Sequence, residues 1–206
     1  GDDGNLAGGE LDDDFSLAQE DMPYGATIMQ LKPDIDERVK MGVEYDYRYL
    51  TTDQGYLLSD YIYCLNACDG DLMGEVFYPP YLDYIVESAG NSTPTEYLEA
   101  FRENIAETLG EGFQYDYIVI DDCLTEDDDI NLTNFDDMDA KLDEIGDGSG
   151  GKVSDKIEPG SRKLLYIDVM YGLPDDDFLS SYSLRNHVGQ YLSIYMYTID
   201  GKDYIV

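Results

Sequence analysis

Phe113-Gln114-Tyr115-Asp116-Tyr117-Ile118-Val119-Ile120 is the stretch on which the fold turns. Phe113, Tyr115, Tyr117 and Val119 alternate with Gln114 and Asp116, the period of two that sends successive side chains to opposite faces of a strand. Ile118 and Ile120 then bring apolar residues to the second face as well, so the segment reads as a long central strand.

Upstream, the pattern is helical. Thr93-Pro94-Thr95-Glu96 is a capping box with proline at the first helical position, followed by Tyr97, Phe101, Ile105 and Leu109 at intervals of four and a stop at Gly110 or Gly112. Earlier, Asp53 is a candidate N-cap for a helix whose stripe is Leu57, Tyr61, Cys64, Leu65 and Cys68, ending at Asp69-Gly70. A short turn with Leu72, Val76 and Phe77 runs into Pro79-Pro80, which breaks it and starts a helix holding Leu82, Ile85 and Ala89. Before these helices, Val43 to Tyr49 puts Val43, Tyr45, Tyr47 and Tyr49 on one side and Glu44, Asp46 and Arg48 on the other, a half-buried strand. Ala26 to Leu31 is a candidate strand before it, separated by the turn signal Lys32-Pro33-Asp34.

Downstream of the central strand, the acidic run Asp121 to Asp129 reads as a loop, and Phe135, Met138, Leu142 and Ile145 as a helix. The glycine-rich stretch Gly146 to Gly151 reads as a flexible connector. Leu164 to Tyr171 and Tyr191 to Ile199 are strands with a loop at Asp175-Asp176-Asp177 between them, and Asp200-Gly201 turns the chain back into Lys202 to Val206 as a hairpin. The whole is an α+β pattern, with helices packed on a mainly antiparallel sheet.

A chain of 206 residues, 43% hydrophobic, buries one sizeable core. We expect a flexible acidic leader over residues 1–21, where eight acids meet no base. A single domain over 22–206 follows, divided into an N-terminal strand extension at 22–52 and a core at 53–206. The chain opens at Gly1 rather than methionine, which we read as a processed start from which an export signal has been removed. Twelve Lys and Arg stand against 46 Asp and Glu, a net charge of -34 that repels the phosphate backbone, so nucleic acid and anionic membrane surfaces are excluded as partners. The same excess favours basic partners and divalent cations.

Motifs that carry chemistry are few. Gly146-Asp147-Gly148-Ser149-Gly150-Gly151-Lys152-Val153 has the glycine and lysine spacing of a phosphate-cradling loop. Val153, however, has no hydroxyl for magnesium, Asp147 repels phosphate, and a helix rather than a strand precedes it. None of Gly70, Gly148 and Gly201 has the full set of acids that a calcium loop places five, three and one residue earlier (Leu65, Ala67 and Asp69; Asp143, Ile145 and Asp147; Met196, Thr198 and Asp200), and the cluster Glu126, Asp127, Asp128 and Asp129 has no such frame. Cys64, Cys68 and Cys123 are too few for a disulfide framework or a four-ligand zinc site. Cys64 and Cys68 share a helix face as small core residues, and a bridge from Cys123 to either stays open. His187 is the single histidine, a candidate general base or ligand contact with no marked neighbour. Among twenty tyrosines, Tyr115, Tyr117 and Tyr195 alternate on strands, where a ring packs while its hydroxyl faces a ligand. These four, Tyr115, Tyr117, His187 and Tyr195, are the candidate ligand-binding residues. No catalytic residue, metal site or cofactor is assigned.

The order of elements from Asp53 onward, with the bent segment Phe77-Tyr78-Pro79-Pro80-Tyr81-Leu82-Asp83-Tyr84-Ile85, resembles the nuclear transport factor 2-like superfamily. The ending Ile199-Asp200-Gly201-Lys202-Asp203-Tyr204-Ile205-Val206 is similar to the final hairpin of lipid-anchored extracytoplasmic members from Gram-positive bacteria, where a tryptophan usually stands in the place of Asp203. That resemblance implies a cone-like, cystatin-like arrangement with helices wrapped against a curved sheet. It also implies an extracytoplasmic protein tethered by an N-terminal lipid anchor. The leading expectation is a non-catalytic binding or accessory domain for a protein, peptide or small-molecule ligand. An isomerase- or dehydratase-like enzyme with its pocket in the cone is the alternative, and a weak calcium-binding surface module the third.

Overall fold

In the computed structural model, residues 27–128 and 133–206 are described. The leader expected over residues 1–21 lies outside them, as does Asp129 of the acidic cluster. The chain runs through two strands, β1 (Ile28–Leu31) and β2 (Gly42–Asp46), then four helices, α1 (Thr52–Ala67), α2 (Gly70–Val76), α3 (Pro79–Ser88) and α4 (Pro94–Leu109). The long strand β3 (Gln114–Thr125), α5 (Thr133–Ile145) and β4 (Lys163–Gly172) follow, then β5 (Tyr182–Ser183), α6 (Leu184–Val188), β6 (Leu192–Ile199) and β7 (Lys202–Ile205). This is an α+β fold built on one seven-stranded sheet of order β1-β2-β3-β4-β6-β7, with β5 beside the far end of β4. Every pairing is antiparallel except that of β2 with β3, which the four-helix crossover between them makes parallel.

Sequence-local chemistry sets the helix ends. Thr51, rather than Asp53, caps α1: its Oγ1 accepts from the Gln54 N–H while Gln54 Oε1 accepts from the Thr51 N–H, a reciprocal capping box. Cys68 ends the helix in the left-handed region at φ 53°, and the Asp69 side chain then caps α2 through the Leu72 N–H. Thr93 caps α4 as its sequence predicts, accepting from the Glu96 N–H at 3.2 Å. The face of α1 that is buried is centred on Leu58, Ile62 and Leu65, one position round from the stripe read in the sequence, because Leu57 and Tyr61 stay half-buried. In α4 the buried residues are Leu98 and Leu109, leaving Phe101 exposed at 37%.

The central strand is longer than its alternation suggested, and it is bulged twice. β3 pairs with β4 over ten residues, with register shifts between Tyr115 and Tyr117 and between Ile120 and Asp122. Each bulge adds one residue and reverses which side chains face the core. Tyr115 faces the helices, but after the first bulge Ile118 and Ile120 do so, and after the second Cys123; all four are buried. Tyr117 and Val119, expected to share the face of Tyr115, are turned to the other. The acidic run is corrected likewise: Asp121 to Thr125 are strand, and the turn begins at Glu126.

β2 stops at Asp46, short of the strand expected to reach Tyr49. Asp46 is 1% exposed and accepts from the backbone N–H, Nε and Nη2 of Arg48, folding 46–49 into a turn closed by the Tyr49 N–H on the Asp46 carbonyl. The 146–151 stretch, read as a flexible connector, is tied in place: Asp147 accepts from the Ser149 N–H at 2.9 Å and pairs with Lys156.

The sheet is covered on both faces. On one, α1 to α4 enclose the larger core with Val43, Tyr45, Ile118, Leu165, Ile167 and Met196. On the other, Phe135 and Leu142 of α5, with Val153, pack on Leu164, Tyr197 and Ile199. Successive residues of β4 and β6 serve these two cores in turn, which is why both strands are apolar almost throughout. Leu31, Val39 and Met41 join the larger core, so residues 27–52 are part of the same packed unit. All three cysteines are free; Cys64 and Cys123 are buried as core residues.

Candidate functional site

Between the helices and the β6–β7 edge of the sheet lies a cavity of about 170 Å³. Three helices each contribute a pair of residues four apart, and therefore stacked on one face: Tyr61 and Leu65 from α1, Tyr81 and Ile85 from α3, Tyr97 and Phe101 from α4. Met73 and Phe77 come from α2 and its end, and Ser193, Ile194 and Ile205 from the sheet. The rings hold one another: Tyr61 meets Phe77 edge-on at 5.2 Å, Phe77 stacks with Tyr81 at 6.3 Å, and Tyr97 stacks with Phe101 at 6.2 Å. The parallel pairing of Phe77 with Ile205 fixes the bent segment to the last strand and so closes the cavity floor.

Among the described residues lining this cavity, none has a charged side chain and none is a histidine. Burial pushes the phenols of Tyr61, Tyr81 and Tyr97 above their ordinary range, Tyr61 furthest, so all three hydroxyls stay protonated and can donate a hydrogen bond at any physiological pH. The walls combine aromatic and aliphatic side chains with the neutral hydroxyls of the three tyrosines and of Ser193. What the arrangement can do is enclose an apolar group and hydrogen-bond its rim. Outside the cavity the helices that form its walls are acidic. Asp83 and Glu87 on α3 and Glu96, Glu99, Glu103 and Glu107 on α4 are exposed, against the one base Arg102, whose guanidinium is committed to the Phe113 carbonyl and ring.

The residues expected from sequence do not converge. Tyr115 is buried behind the cavity, edge-on to Phe113 at 5.1 Å, its backbone held both ways by the Asn66 amide, and burial pushes its phenol up to about 12. Tyr117 lies on the opposite face across Gly42, where an added Cβ would meet its ring at 2.8 Å; burial and the neighbouring Glu44 carboxylate push its phenol up to about 12. Tyr195 packs with Phe135 and Tyr197 in the α5 core. His187 is exposed on α6 with its ring edge-on to Tyr171 at 6.4 Å. The cavity's own aromatics lie on helices, where the alternation that marks the strand tyrosines does not apply. The legible signal was the repeated aromatic-to-apolar spacing of four at 61/65, 81/85 and 97/101.

Among the described residues, no group of three or more His, Cys, Asp or Glu side chains is placed to hold a metal ion. Glu126 instead pairs with Arg162, and Asp128 closes a turn through the Thr125 N–H and hydroxyl. No helix among the described residues is long and apolar enough to cross a membrane. No family model, no curated protein and no solved structure matches this chain.

Proposed function

We propose that this chain is a non-catalytic extracytoplasmic binding domain of the nuclear transport factor 2-like cone type, tethered to a bacterial surface on its N-terminal side. It binds a basic peptide or protein segment by taking one apolar side chain into the helix–sheet cavity. The observation that carries the reading is a cavity walled by five aromatic rings with no charged side chain among its described lining.

Size narrows the ligand. A volume of about 170 Å³ is close to that of an apolar cavity that holds one benzene ring, and below the roughly 300–1,000 Å³ of sites for drug-sized molecules. A single Phe or Leu side chain fits, and the remainder of its peptide lies on the helices outside. Their six exposed acids favour Lys and Arg on either side of the anchor, and the chain's charge of -34 steers such a partner in. The bent segment and the final hairpin, which carry the family resemblance, are the elements that form the cavity floor.

The test is a titration with the acetylated, amidated peptide Lys-Lys-Phe-Lys-Lys, followed by NMR. The expected result is saturable shifts at Tyr61, Tyr97 and Phe101, abolished when the peptide's Phe is replaced by Gly. Ile85→Trp, at a half-buried lining position on α3, fills the cavity and is expected to abolish the shifts, with native circular dichroism checked first. Equal binding of the Gly peptide, or of the Phe peptide to folded Ile85→Trp protein, would remove the cavity from the account.

A further inference from the structure

A second cavity, of about 460 Å³, lies at the β2 turn and the start of α1, away from the helix–sheet cavity. Met29, Tyr47, Leu50, Thr51 and Lys163 contribute to its walls, together with Arg48. Lys163 is the unusual member. Its ammonium donates to the Tyr49 carbonyl at 2.7 Å and to Gln54 Oε1 at 2.8 Å, both neutral oxygens, which accounts for two of its three N–H donors. Five of the other eleven cations, Arg38, Lys40, Arg48, Lys156 and Arg162, have a carboxylate within salt-bridge distance, and what sets Lys163 apart from the remaining six is that burial lowers its pKa. Lys163 has no such carboxylate among the described residues, in a chain with 46 acids.

Burial without a counter-ion pushes the Lys163 ammonium below its ordinary pKa. The groups around it do not neutralise it. Asp46 is already bound by Arg48, the Cys123 thiol is pushed up to about 11 by burial and is therefore neutral, and Asp203 acts only at longer range. On the same cavity, the Tyr47 hydroxyl is buried and has no hydrogen-bond partner among the described residues. A half-buried ammonium bonded only to neutral oxygens and a buried hydroxyl with no partner among the described residues both carry a desolvation cost, and one anionic group relieves both.

We infer that this cavity is a binding site for a small organic monocarboxylate, its anionic group on the Lys163 ammonium and the Tyr47 hydroxyl and its apolar body against Met29 and Leu50. A monoanion fits the single uncompensated positive charge; a phosphate dianion leaves one negative charge unmatched. The site is independent of the helix–sheet cavity, and its test shares no residue with the one above.

Phenylacetate is the probe, titrated into the full chain at pH 7, with 2-phenylethanol and phenyl phosphate as comparison arms. Saturable NMR shifts at Met29 and Tyr47 are expected, with phenylacetate tighter than either comparison ligand by about tenfold, the scale of one charge-assisted hydrogen bond. Binding raises the Lys163 pKa, read from its side-chain 15N resonance, and affinity falls as pH rises through that pKa, where the ammonium loses its charge. Lys163→Met is expected to weaken binding about tenfold and Tyr47→Phe severalfold, each checked for native circular dichroism. The inference is overturned by the absence of saturable shifts at Met29 and Tyr47, by equal binding of 2-phenylethanol, by tighter binding of phenyl phosphate, or by undiminished affinity in folded Lys163→Met protein. Should Lys163→Met not fold, Tyr47→Phe and the two comparison ligands decide the matter alone.

Discussion

Replacing Asp46 by Asn removes the charge that folds the chain between β2 and α1. Asp46 is 1% exposed and accepts from the Arg48 backbone N–H at 2.9 Å, from Nε at 3.0 Å and from Nη2 at 2.6 Å. Asn keeps the shape and one acceptor oxygen but turns the other into a donor that faces the guanidinium. A hydrogen bond to a charged group contributes about 1.5–3 kcal/mol, and removing one partner of a fully buried pair costs about 3–5 kcal/mol. The Arg48 side chain is 29% exposed, so water recovers part of the loss, and about 2 kcal/mol is the expected cost.

Its pH dependence follows from the same geometry. Burial alone would raise the Asp46 carboxyl, but the hydrogen bonds and charge of Arg48 outweigh it and hold the native value below the ordinary one. A depressed native pKa contributes stability above the unfolded pKa, near pH 4, and loses it as pH falls through the native value. Urea unfolding followed by circular dichroism, on both proteins from pH 7 to pH 2.5, measures the gap, and the difference cancels the titration of every other carboxylate. The gap is expected at about 2 kcal/mol down to about pH 4, closing below it. A gap under about 0.5 kcal/mol at pH 7, the range of ordinary surface substitutions, would refute the reasoning. So would one that persists undiminished at pH 2.5.

Two glycines of α2 predict opposite signs. An added Cβ on Gly70 meets the Thr95 backbone nitrogen at 2.6 Å, so Gly70→Ala forces α2 off α4 and costs about 1–3 kcal/mol by urea midpoint. Gly74 has nothing within 4 Å, so Gly74→Ala stabilises the helix by about 0.5–1 kcal/mol in the same assay. Leu142→Ala in the α5 core is expected to cost about 2–5 kcal/mol, since Leu142 is 1% exposed. In a thiol-reagent time course at pH 8, Cys68 reacts first, because burial pushes Cys64 up to about 12 and Cys123 up to about 11. Equal rates at all three would contradict the burial assigned to the latter two.

The helices were largely legible because their signals are local. Thr93-Pro94-Thr95-Glu96 caps α4, Pro79-Pro80 divides α2 from α3, and Asp200-Gly201, with both φ angles positive, makes the final hairpin. The faces of β3 were not legible past Asp116. A bulge is a relation between two strands, and the inserted residues, Asp116 and Asp121, differ in no local way from any exposed aspartate. Ile118 and Ile120, which broke the alternation, were the trace it left. The parallel pairing of β2 with β3 and the burial of Asp46 and Asp60 likewise depend on partners distant in the chain or on one nearby arginine. Asp60 is buried on α1 only because Arg38 and Lys40 reach it from the loop after β1. The candidate site suffered most from this. Its walls come from four helices and two strands, and only their packing brings Tyr61, Phe77, Tyr81, Tyr97 and Phe101 to one point.

The central claim is that this point receives a side chain. Intermolecular NOEs between the Phe ring of the bound basic peptide and the aromatic protons of the chain test it most directly. Cross-peaks to Tyr61, Phe77 and Tyr97 are the predicted result. A bound peptide whose Phe ring shows cross-peaks only to residues outside the helix–sheet cavity, or whose NOEs arise from its lysines alone, would contradict the account.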